Sequence, residues 1–303
     1  MTGPLRGASN IRITGSANFS FSKPGGSILQ LKKDTDAKCL LDLTRCCGIN
    51  VDNLCFVGNG NKDTSRIVHG IGVFKKTYGW QEDTPQIDHC HIEKFSGDAI
   101  HFERIWCFCV RHCHLFACGG SGIVVQGWDG FILDNRLSGN GGAGFCTLHE
   151  NASVTLTGNR VEWNRKGGIC VYGGIKYNIT GNYIDRSGNS GLEMVDCSDI
   201  AVTGNVIYRS GKPEWSDPEK VSHVTIRKSA GIAFTGNSLA FGRDDGGKGK
   251  ASPTVAMKLE NLTDSIIANN SLHHAAVNEL IQQKGTFTNC VIENNLGSVL
   301  RKK

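Results

Sequence analysis

The sequence has few prolines, no long apolar run and no dominant charge. It contains 6 prolines against 39 glycines in 303 residues, a balance that argues against a proline-rich linker and favours a chain that turns often. No apolar run approaches the length of about 18 residues that a membrane-spanning helix needs. The net charge is only +5. It is compatible with an acidic polysaccharide ligand or with an ordinary basic surface.

The sequence also lacks the features of a secreted, disulfide-bonded protein, which are an even number of cysteines and a signal peptide. The chain has 13 cysteines, and its first residues, Met1–Arg6, lack the apolar segment of a signal peptide. Reduced thiols that serve as small apolar residues are therefore the preferred interpretation. The localisation stays open. The missing signal peptide and free thiols suggest cytoplasmic expression, or else a fragment of a secreted or virion protein.

A repeat of roughly 23 residues runs through most of the sequence. One position of it is occupied by asparagine or cysteine, with successive spacings of 22, 24, 23, 23 and 32 residues. The residues at this position are Cys113, Asn135, Asn159, Asn182, Asn205 and Asn237, and Cys90, Asn270 and Asn295 extend the series. A second pattern, Gly or Ala followed by apolar, variable and apolar residues, runs in phase with the first. It occurs at 99–102, 122–125, 144–147, 168–171 and 191–194.

These patterns predict an all-β chain in which short strands are divided by tight, glycine-rich corners. One unit cannot bury its apolar face alone, but stacked units can. We expect a single-stranded right-handed parallel β-helix, a solenoid of about 10 rungs, with an asparagine ladder along one corner. It is predicted as one domain, 1–303. Residues 1–38 form an irregular N-terminal rung or cap, 39–297 regular rungs and 298–303 a basic tail.

Two His-Cys-His triplets, at 89–91 and 112–114, have the residue types of a metal site. They lie 23 residues apart, so they are the same motif on successive rungs, with both cysteines in the asparagine column. His91 and His114 then share a column with Arg136. Stacked surface histidines are preferred over a metal site. No metal or other cofactor is predicted, although the sequence leaves a calcium ion open.

Three insertions, Lys75–Pro85, Gly211–Val221 and Gly242–Pro253, mark places where loops leave the repeat. The first two carry the aromatic residues Tyr78, Trp80 and Trp215. Aromatic rings beside a groove suit stacking on sugars, and packing of these rings on the side of the β-helix is an equal alternative. The third loop is rich in glycine and is expected to be mobile. By the same column argument, Cys146 and Cys170 are expected as a stacked thiol pair.

The repeated Gly-Ile-x-Val and Gly-Asn-x-Ile patterns resemble the right-handed β-helix superfamily over about residues 40–297. That superfamily includes pectate lyases, polygalacturonases, alginate C5-epimerases, inulin fructotransferases and phage tail-spike depolymerases. The resemblance implies the fold and leaves the activity open, because function in such folds depends on individual sites. The nearest named relative is the alginate C5-epimerase module. Gly58–Ser65 and His69–Phe74 look like its early Asp-Gly-Asn loop and following strand.

The catalytic motif of that module, Tyr-Gly-Phe-Asp-Pro-His-Glu, falls on Ser96–Glu103. This segment reads Ser-Gly-Asp-Ala-Ile-His-Phe-Glu. His101 stands where the family has its Asp, Glu103 where it has His, and Gln126 where the next rung has a second Asp. The motif is therefore not preserved.

Outward positions of the Gly-Ile-x-Val strand, and of the turn after it, are the candidate functional positions because inward ones form the core. The predicted catalytic residues are His101, Glu103, His149 and Glu150. The predicted substrate-binding residues are Arg104, Gln126, Asp129, Tyr172, Glu193, Asp196 and Trp80. Glu103 and Glu150 lie two rungs apart, roughly 9–10 Å, which suits the acid and base of an inverting glycosidase. A lyase or epimerase would instead use His101 or His149 as base and Arg104 to neutralise a uronate.

The sequence favours a carbohydrate-active enzyme that cleaves or rearranges a polysaccharide in a surface groove, as a hydrolase, lyase or epimerase. The alternative is a non-enzymatic β-helix, such as a phage tail-spike shaft, an adhesin or a carbohydrate-binding module. Clustered acids and histidines favour the first, and the altered catalytic motif favours the second. The expected partners are a polysaccharide or oligosaccharide and further copies of the chain, for example in a trimer that covers an open end or flank. No nucleic acid or membrane partner is predicted.

Overall fold

The computed structural model describes residues 1–16, 20–21, 23–60, 66–211, 217, 220–240 and 253–300. It consists of short strands that pair in parallel with the equivalent strands of the next rung. No helix in the described part of the chain is long and apolar enough to cross a membrane.

The first strands of the rungs include those with the Gly-Ile-x-Val pattern and the strands that pair with them in register. These strands are β1 (Leu5–Arg6), β4 (Cys39–Asp42), β7 (His69–Phe74), β10 (Ile100–Trp106), the start of β13 (Ile123–Leu133), β15 (Ala143–Thr147), β18 (Gly167–Tyr172), β22 (Leu192–Val195), the start of β25 (Val224–Thr235), β27 (Val255–Thr263) and β30 (Glu279–Thr288). Their outer face is the part of the molecule on which the predicted site residues lie.

The second strand of each rung follows after a corner, which β13 and β25 cross without a break. These strands are β2 (Arg12–Thr14), β5 (Asn50–Asp52), β8 (Gln86–Asp88), β11 (Cys109–Arg111), the end of β13, β16 (Asn151–Thr157), β19 (Gly174–Ile175), β20 (Asn178–Thr180), β23 (Ser198–Thr203), the end of β25, β28 (Ile266–Ala268) and β31 (Val291–Glu293). Because of the continuous strands, first and second strands form one 21-stranded sheet.

The third strands form a separate sheet of 11 strands. They are β3 (Ile28–Gln30), β6 (Cys55–Val57), β9 (His91–Glu93), β12 (His114–Phe116), β14 (Arg136–Ser138), β17 (Arg160–Glu162), β21 (Tyr183–Asp185), β24 (Val206–Tyr208), β26 (Ser238–Ala240), β29 (Ser271–Ala276) and β32 (Leu296–Val299). Residues 1–38 contain β1, β2 and β3, which pair in parallel with β4, β5 and β6.

The core lies between the three strands of each rung and is built from columns of like residues. One column aligns Ile100, Ile123, Phe145, Ile169 and Leu192 on successive first strands. All five side chains are fully buried. The predicted core register is confirmed. The period of two along each strand turns the intervening residues to the opposite face, but several of them, such as Val124, Cys170 and Glu193, are buried as well.

The predicted asparagine ladder is present. The Nδ2 atom of Asn135 donates a hydrogen bond to Oδ1 of Asn159 at 3.0 Å, and Nδ2 of Asn159 donates to Oδ1 of Asn182 at 2.9 Å. The same contact repeats up to Asn295. A second ladder, which the sequence analysis missed, joins Asn140 to Oδ1 of Asn164 at 3.0 Å.

The prediction of stacked surface histidines for the two His-Cys-His triplets is confirmed for the first histidine of each triplet and not for the last. His91, His114 and Arg136 do share a column, but both histidines are buried, so the prediction is wrong for them. Phe21, which lies between β2 and β3, stacks on His114 with the ring centroids 5.2 Å apart. The same column also contacts the buried Glu93, which lies 2.8 Å from Nε2 of His91.

The cysteines are free thiols throughout the chain. Cys146 and Cys170 are paired in register on β15 and β18, so the predicted stacking of these two thiols is confirmed. Burial raises the pKa of the Cys146 thiol to about 12, because the charged thiolate is poorly solvated there.

Candidate functional site

The outward side chains of the first strands form two columns along one face of the β-helix. One column contains His101, Val124, Cys146, Cys170, Glu193, Thr225 and Lys258. The other contains Glu103 and Gln126 in neighbouring rungs, and further along Tyr172, Val195, Arg227, Glu260 and Lys284. The alternation along each strand thus places charged and polar groups side by side over several rungs.

A continuous series of polar contacts begins two residues before β10, at Asp98. Its Oδ2 lies 2.7 Å from Nδ1 of His101, and Nε2 of the same ring lies 3.2 Å from Oε1 of Glu103. The His101 side chain is 14% exposed and that of Glu103 34%, so Glu103 is the end of the series that solvent reaches. Phe74 stacks on the imidazole with the ring centroids 5.6 Å apart and limits its movement.

His69 occupies the same column as Asp98 in the preceding rung. The Nδ1 atom of His69 accepts a hydrogen bond from the backbone N–H of Asp98 at 2.9 Å, and its ring centroid lies 4.4 Å from that of His101. The other Asp98 oxygen accepts a hydrogen bond from the backbone N–H of Ser121 at 2.6 Å. The Asp98 carboxylate is therefore held from three sides.

Charge and burial oppose one another in this cluster. Burial disfavours ionised Asp98, but the hydrogen bonds from His101 and Ser121 and the contact with His69 outweigh it and hold the pKa of the carboxyl at about 2. Burial also disfavours protonated His101, yet Asp98 and Glu103 raise the pKa of its imidazole above the ordinary value. An imidazole between two carboxylates retains its proton to a higher pH than a free one.

Ligand atoms of His69, Asp98 and His101 lie close enough together to hold a metal ion. The lone pairs they offer are already used, however. Nδ1 of His69 accepts the N–H of Asp98, and the two Asp98 oxygens accept from His101 and Ser121. The arrangement fits a hydrogen-bonded proton relay better than a metal centre.

Glu150 lies at the corner two rungs beyond Glu103, next to the other predicted catalytic residue, His149. Gln126, in register with Glu103, donates a hydrogen bond from Nε2 to Oε2 of Glu150 at 3.0 Å. Both His149 and Glu150 are exposed. Within the described part of the chain, no hydrogen bond joins the side chain of His149 to the Asp98 cluster. The structure thus connects Glu150 to the site through Gln126 and leaves His149 at the rim.

The rim of this face holds other predicted binding residues. Arg104 turns away from the carboxylates and donates from Nη1 to the backbone oxygen of Lys75 at 2.8 Å. Asp129 accepts a hydrogen bond from Nε1 of Trp106 at 3.0 Å. Asp196 is exposed at the corner after β22.

The aromatic residues of the Lys75–Pro85 loop differ in their exposure, and the predicted stacking on sugars stays a prediction. Tyr78 packs face to face on Trp128 with the ring centroids 4.1 Å apart, and its hydroxyl donates to the backbone oxygen of Glu150 at 3.2 Å. Trp80 is 92% exposed and free to contact a ligand. Trp215 and residues 242–252 of the third loop lie outside the described residues.

Farther along the same face lies a cavity of about 570 Å³ over the two stacked thiols. Tyr172 donates from its hydroxyl to Oε2 of Glu193 at 2.9 Å, and Nη2 of Arg227 donates to Oε1 of the same carboxylate at 3.3 Å. Lys166 and Lys220 complete the polar part of the lining. Burial raises the pKa of the Tyr172 phenol, so it stays a neutral hydrogen-bond donor.

Asp98, His69 and Arg227 are site residues that the sequence analysis missed. A signal for the first two existed. Each stands two residues before the first buried isoleucine of its strand, and counting back from Ile71 and Ile100 places both in one column. Arg227 lies within the long spacing of 32 residues between Asn205 and Asn237. Its column could therefore not be assigned by counting residues from the preceding rung.

Comparison with known proteins agrees with this architecture. Residues 106–244 match a family model described as a right handed beta helix region. A search by sequence among curated proteins finds no match.

Solved structures similar to this chain include three whose names state an enzymatic role. The A-module of a mannuronan C-5 epimerase from Azotobacter vinelandii superposes with a TM-score of 0.65 at 14% identity, covering 98% of this chain and 85% of that one. A DFA-IIIase from Arthrobacter chlorophenolicus without its lid gives 0.67 at 14% identity, with 100% and 86% covered. The enzymatically active domain of tailspike protein 2 from bacteriophage CBA120 gives 0.65 at 14% identity, with 80% and 39% covered.

This chain therefore spans 39% of the length of the tailspike domain and most of the length of the other two. At such low identity the likeness shows the fold alone. The stacked parallel strands, the family match and these superpositions together identify the chain as a right-handed parallel β-helix.

Proposed function

We propose that this chain is a carbohydrate-active enzyme that binds a polysaccharide along the outer face of the first strands and transfers a proton at His101 and Glu103. The observation that carries the proposal is the series of contacts from Asp98 through His101 to Glu103, with only its last member well exposed. Buried charged groups whose pKa values are moved in opposite directions are typical of acid–base sites.

The charges favour an acid role for His101. Two carboxylates raise the pKa of its imidazole, so the ring holds a proton that it can pass through Nε2 to Glu103. Glu103 would then protonate the glycosidic oxygen of a bound sugar. General acid catalysis of this kind contributes about 10²- to 10⁴-fold to a rate.

Glu150 is the candidate base. The hydrogen bond that its Oε2 accepts from Gln126 holds the carboxyl group beside the outer face of the first strands. Two rungs separate it from Glu103, roughly 9–10 Å at the spacing of stacked strands, close to the upper limit of about 6.5–9.5 Å for inverting glycosidases. A water molecule between the two carboxyl groups would attack the sugar from the face opposite to the leaving group.

The same charges make elimination or epimerisation of a uronate less suited to this site. Those reactions need a neutral base and a cation beside the uronate carboxylate, whereas Asp98, Glu103 and Glu150 concentrate negative charge here. Arg104, the candidate neutralising cation, donates to a backbone oxygen instead. Hydrolysis is therefore the reaction we propose among the three.

The rest of the face provides places for further sugar units. Trp80 offers an exposed ring on one side, since sugar rings stack on aromatic faces. The cavity with Tyr172, Glu193 and Arg227 offers polar groups on the other side. A chain of sugars that follows the columns would pass across Gln126 between these two regions.

The test is a screen of the purified chain against alginate, pectin, inulin and dextran, with measurement of new reducing ends and of ultraviolet absorbance from unsaturated uronate. We expect reducing ends without unsaturated product, and a loss of at least tenfold for His101→Ala. His273→Ala, which removes an exposed histidine of a distant rung, is the control. Unsaturated product would replace hydrolysis by elimination, and turnover of none of the four would favour a non-enzymatic β-helix.

A further inference from the structure

A second cluster of polar groups lies on another face of the β-helix, at the corners that follow β8 and β11. Here the first histidine of each His-Cys-His triplet, His89 and His112, meets Asp88. We propose that these three residues form a binding site for a divalent transition-metal ion of the zinc, cobalt or nickel class. The site is independent of the proposed activity, because it lies on the second strands and not on the first.

The corner geometry explains why the two histidines stack. His89 and His112 have φ angles of 47° and 52°, in the left-handed region. Neighbouring rungs place Asn53, Asp134 and Gly158 at this corner with φ angles of 55°, 52° and 69°. The turn directs both imidazoles outward one above the other, with ring centroids 4.6 Å apart.

The ligand atoms converge on one carboxylate oxygen. Oδ1 of Asp88 lies 2.7 Å from Nδ1 of His89 and 3.0 Å from Nδ1 of His112. Ligands of a tetrahedral zinc ion lie about 2.0–2.2 Å from the metal, which separates them by roughly 3.4 Å. A small outward movement of the two exposed rings would therefore admit an ion, with water completing its coordination.

The carboxylate is already oriented for this role. Arg111 donates from Nε and Nη2 to Oδ2 of Asp88 at 3.0 and 2.9 Å and leaves Oδ1 to the histidines. Partners that fix a ligand in this way typically change metal affinity by about 10- to 100-fold.

The contrast with the cluster at His69 supports the choice of this site. There, backbone N–H groups already occupy the lone pairs of His69 and Asp98. At Asp88, the contacts described for Oδ1 come only from the ring nitrogens of His89 and His112, whose protons an ion can displace. Imidazole and carboxylate together suit zinc, cobalt and nickel ions.

An ion bound here would join two successive rungs, since His89 and His112 belong to neighbouring turns. Binding to the folded state alone raises the melting temperature, and the stabilisation grows with the logarithm of the ratio of free ion concentration to Kd. The proposed site would thus act as a clip between rungs.

The experiment is a titration of the reduced, folded chain with Co²⁺, followed by its visible absorption and by melting temperature. The test variants are His89→Asn and His112→Asn, because asparagine already occupies this corner at Asn53 and tolerates its backbone. The control is His273→Ala, which removes an exposed histidine that stacks on His274.

We expect wild type to bind one Co²⁺ at this site, without a sulfur-to-cobalt charge-transfer band and with a raised melting temperature. Each asparagine variant should weaken that binding at least tenfold, and the control should match wild type. The proposal is overturned if wild type does not bind, if the asparagine variants bind as well as wild type, or if the spectrum shows thiolate ligands.

Discussion

Oδ2 of Asp98 lies 2.7 Å from Nδ1 of His101, and this contact turns Nε2 of the same ring toward Glu103. The relationship depends on the corner that precedes β10, where Asp98 stands three residues before His101. A buried carboxylate, an imidazole and a half-exposed carboxylate thereby form one unit whose acid–base properties belong to all three groups. The first predictions concern this unit.

Asp98→Asn should lower the pKa of His101, because it removes the carboxylate that favours the imidazolium form. A titration of the His101 ring protons by NMR would measure the change. Since Asp98 acts through His101 and not on the substrate, kcat should fall at least tenfold while KM changes little. Asp134→Asn, at an exposed corner, is the control, and an unchanged His101 pKa in Asp98→Asn would refute the role of Asp98.

Stability should fall in acid as Asp98 takes up a proton. The folded pKa of about 2 is below the value of about 3.9 for an unfolded chain, so its contribution is complete above pH 4. It is lost as the pH falls toward 2. The full shift corresponds to roughly 2–3 kcal/mol, of which about 2 kcal/mol is lost between pH 4 and pH 2. His101 has a raised pKa and works in the opposite direction: its contribution is present below about pH 6.5 and is lost as the pH rises through its folded pKa.

Urea unfolding at a series of pH values measures both effects. Wild type should lose stability between pH 4 and 2, and Asp98→Asn should lose about 2 kcal/mol less over that interval. If the free energy of unfolding changed equally with pH in the two proteins, Asp98 would not be a stabilising group in the folded state.

The asparagine ladder should be a major source of stability. Asn159→Ala removes hydrogen bonds to Oδ1 of Asn182 and to the backbone oxygen of Ile132, and leaves the N–H of Asn135 without its acceptor. Each buried group left unsatisfied costs about 1–3 kcal/mol, so we expect a loss of about 3–5 kcal/mol. Asn178→Ala, at an exposed position of β20, should change the free energy of unfolding by less than about 0.5 kcal/mol. Equal losses for both would contradict a special role of the ladder.

The fold and its registers could be predicted from the sequence because both depend on periodicity. A residue such as Asn159 recurs at one position of each rung, and stacking brings each copy against the next whatever the loops between them do. The register of Cys146 with Cys170 followed from the same count. The repeats reveal which residues share a column, and in this fold the residues of one column contact each other in neighbouring rungs.

The columns do not show which loops cover them. They also do not show which side chains at the corners point toward a neighbouring strand. His114 was expected at the surface, but Phe21 from the first rung covers it, and no repeat links these two positions. Asp98 stands at a corner, where the direction of a side chain depends on the backbone turn and not on alternation. Alternation along β10 therefore predicted that His101 and Glu103 share its outer face, and it did not reveal the carboxylate that contacts His101.

The thiols that form the floor of the cavity should be slow to react. With its pKa raised to about 12, Cys146 would be ionised in only about one molecule in ten thousand at pH 8, and the thiolate is the reactive form. Alkylation by iodoacetamide, followed by mass spectrometry, should modify Cys146 far more slowly than glutathione in the same solution. Modification at the rate of glutathione would show an environment different from the one described.

The central claim is that Glu103 delivers the proton to a polysaccharide bound on the first strands. The most direct measurement is kcat of Glu103→Gln on the best substrate of the screen, compared with Glu293→Gln at an exposed position of the last second strand. With both variants folded, we expect a loss of at least a hundredfold for Glu103→Gln and none for Glu293→Gln. Turnover by Glu103→Gln within twofold of wild type would contradict it.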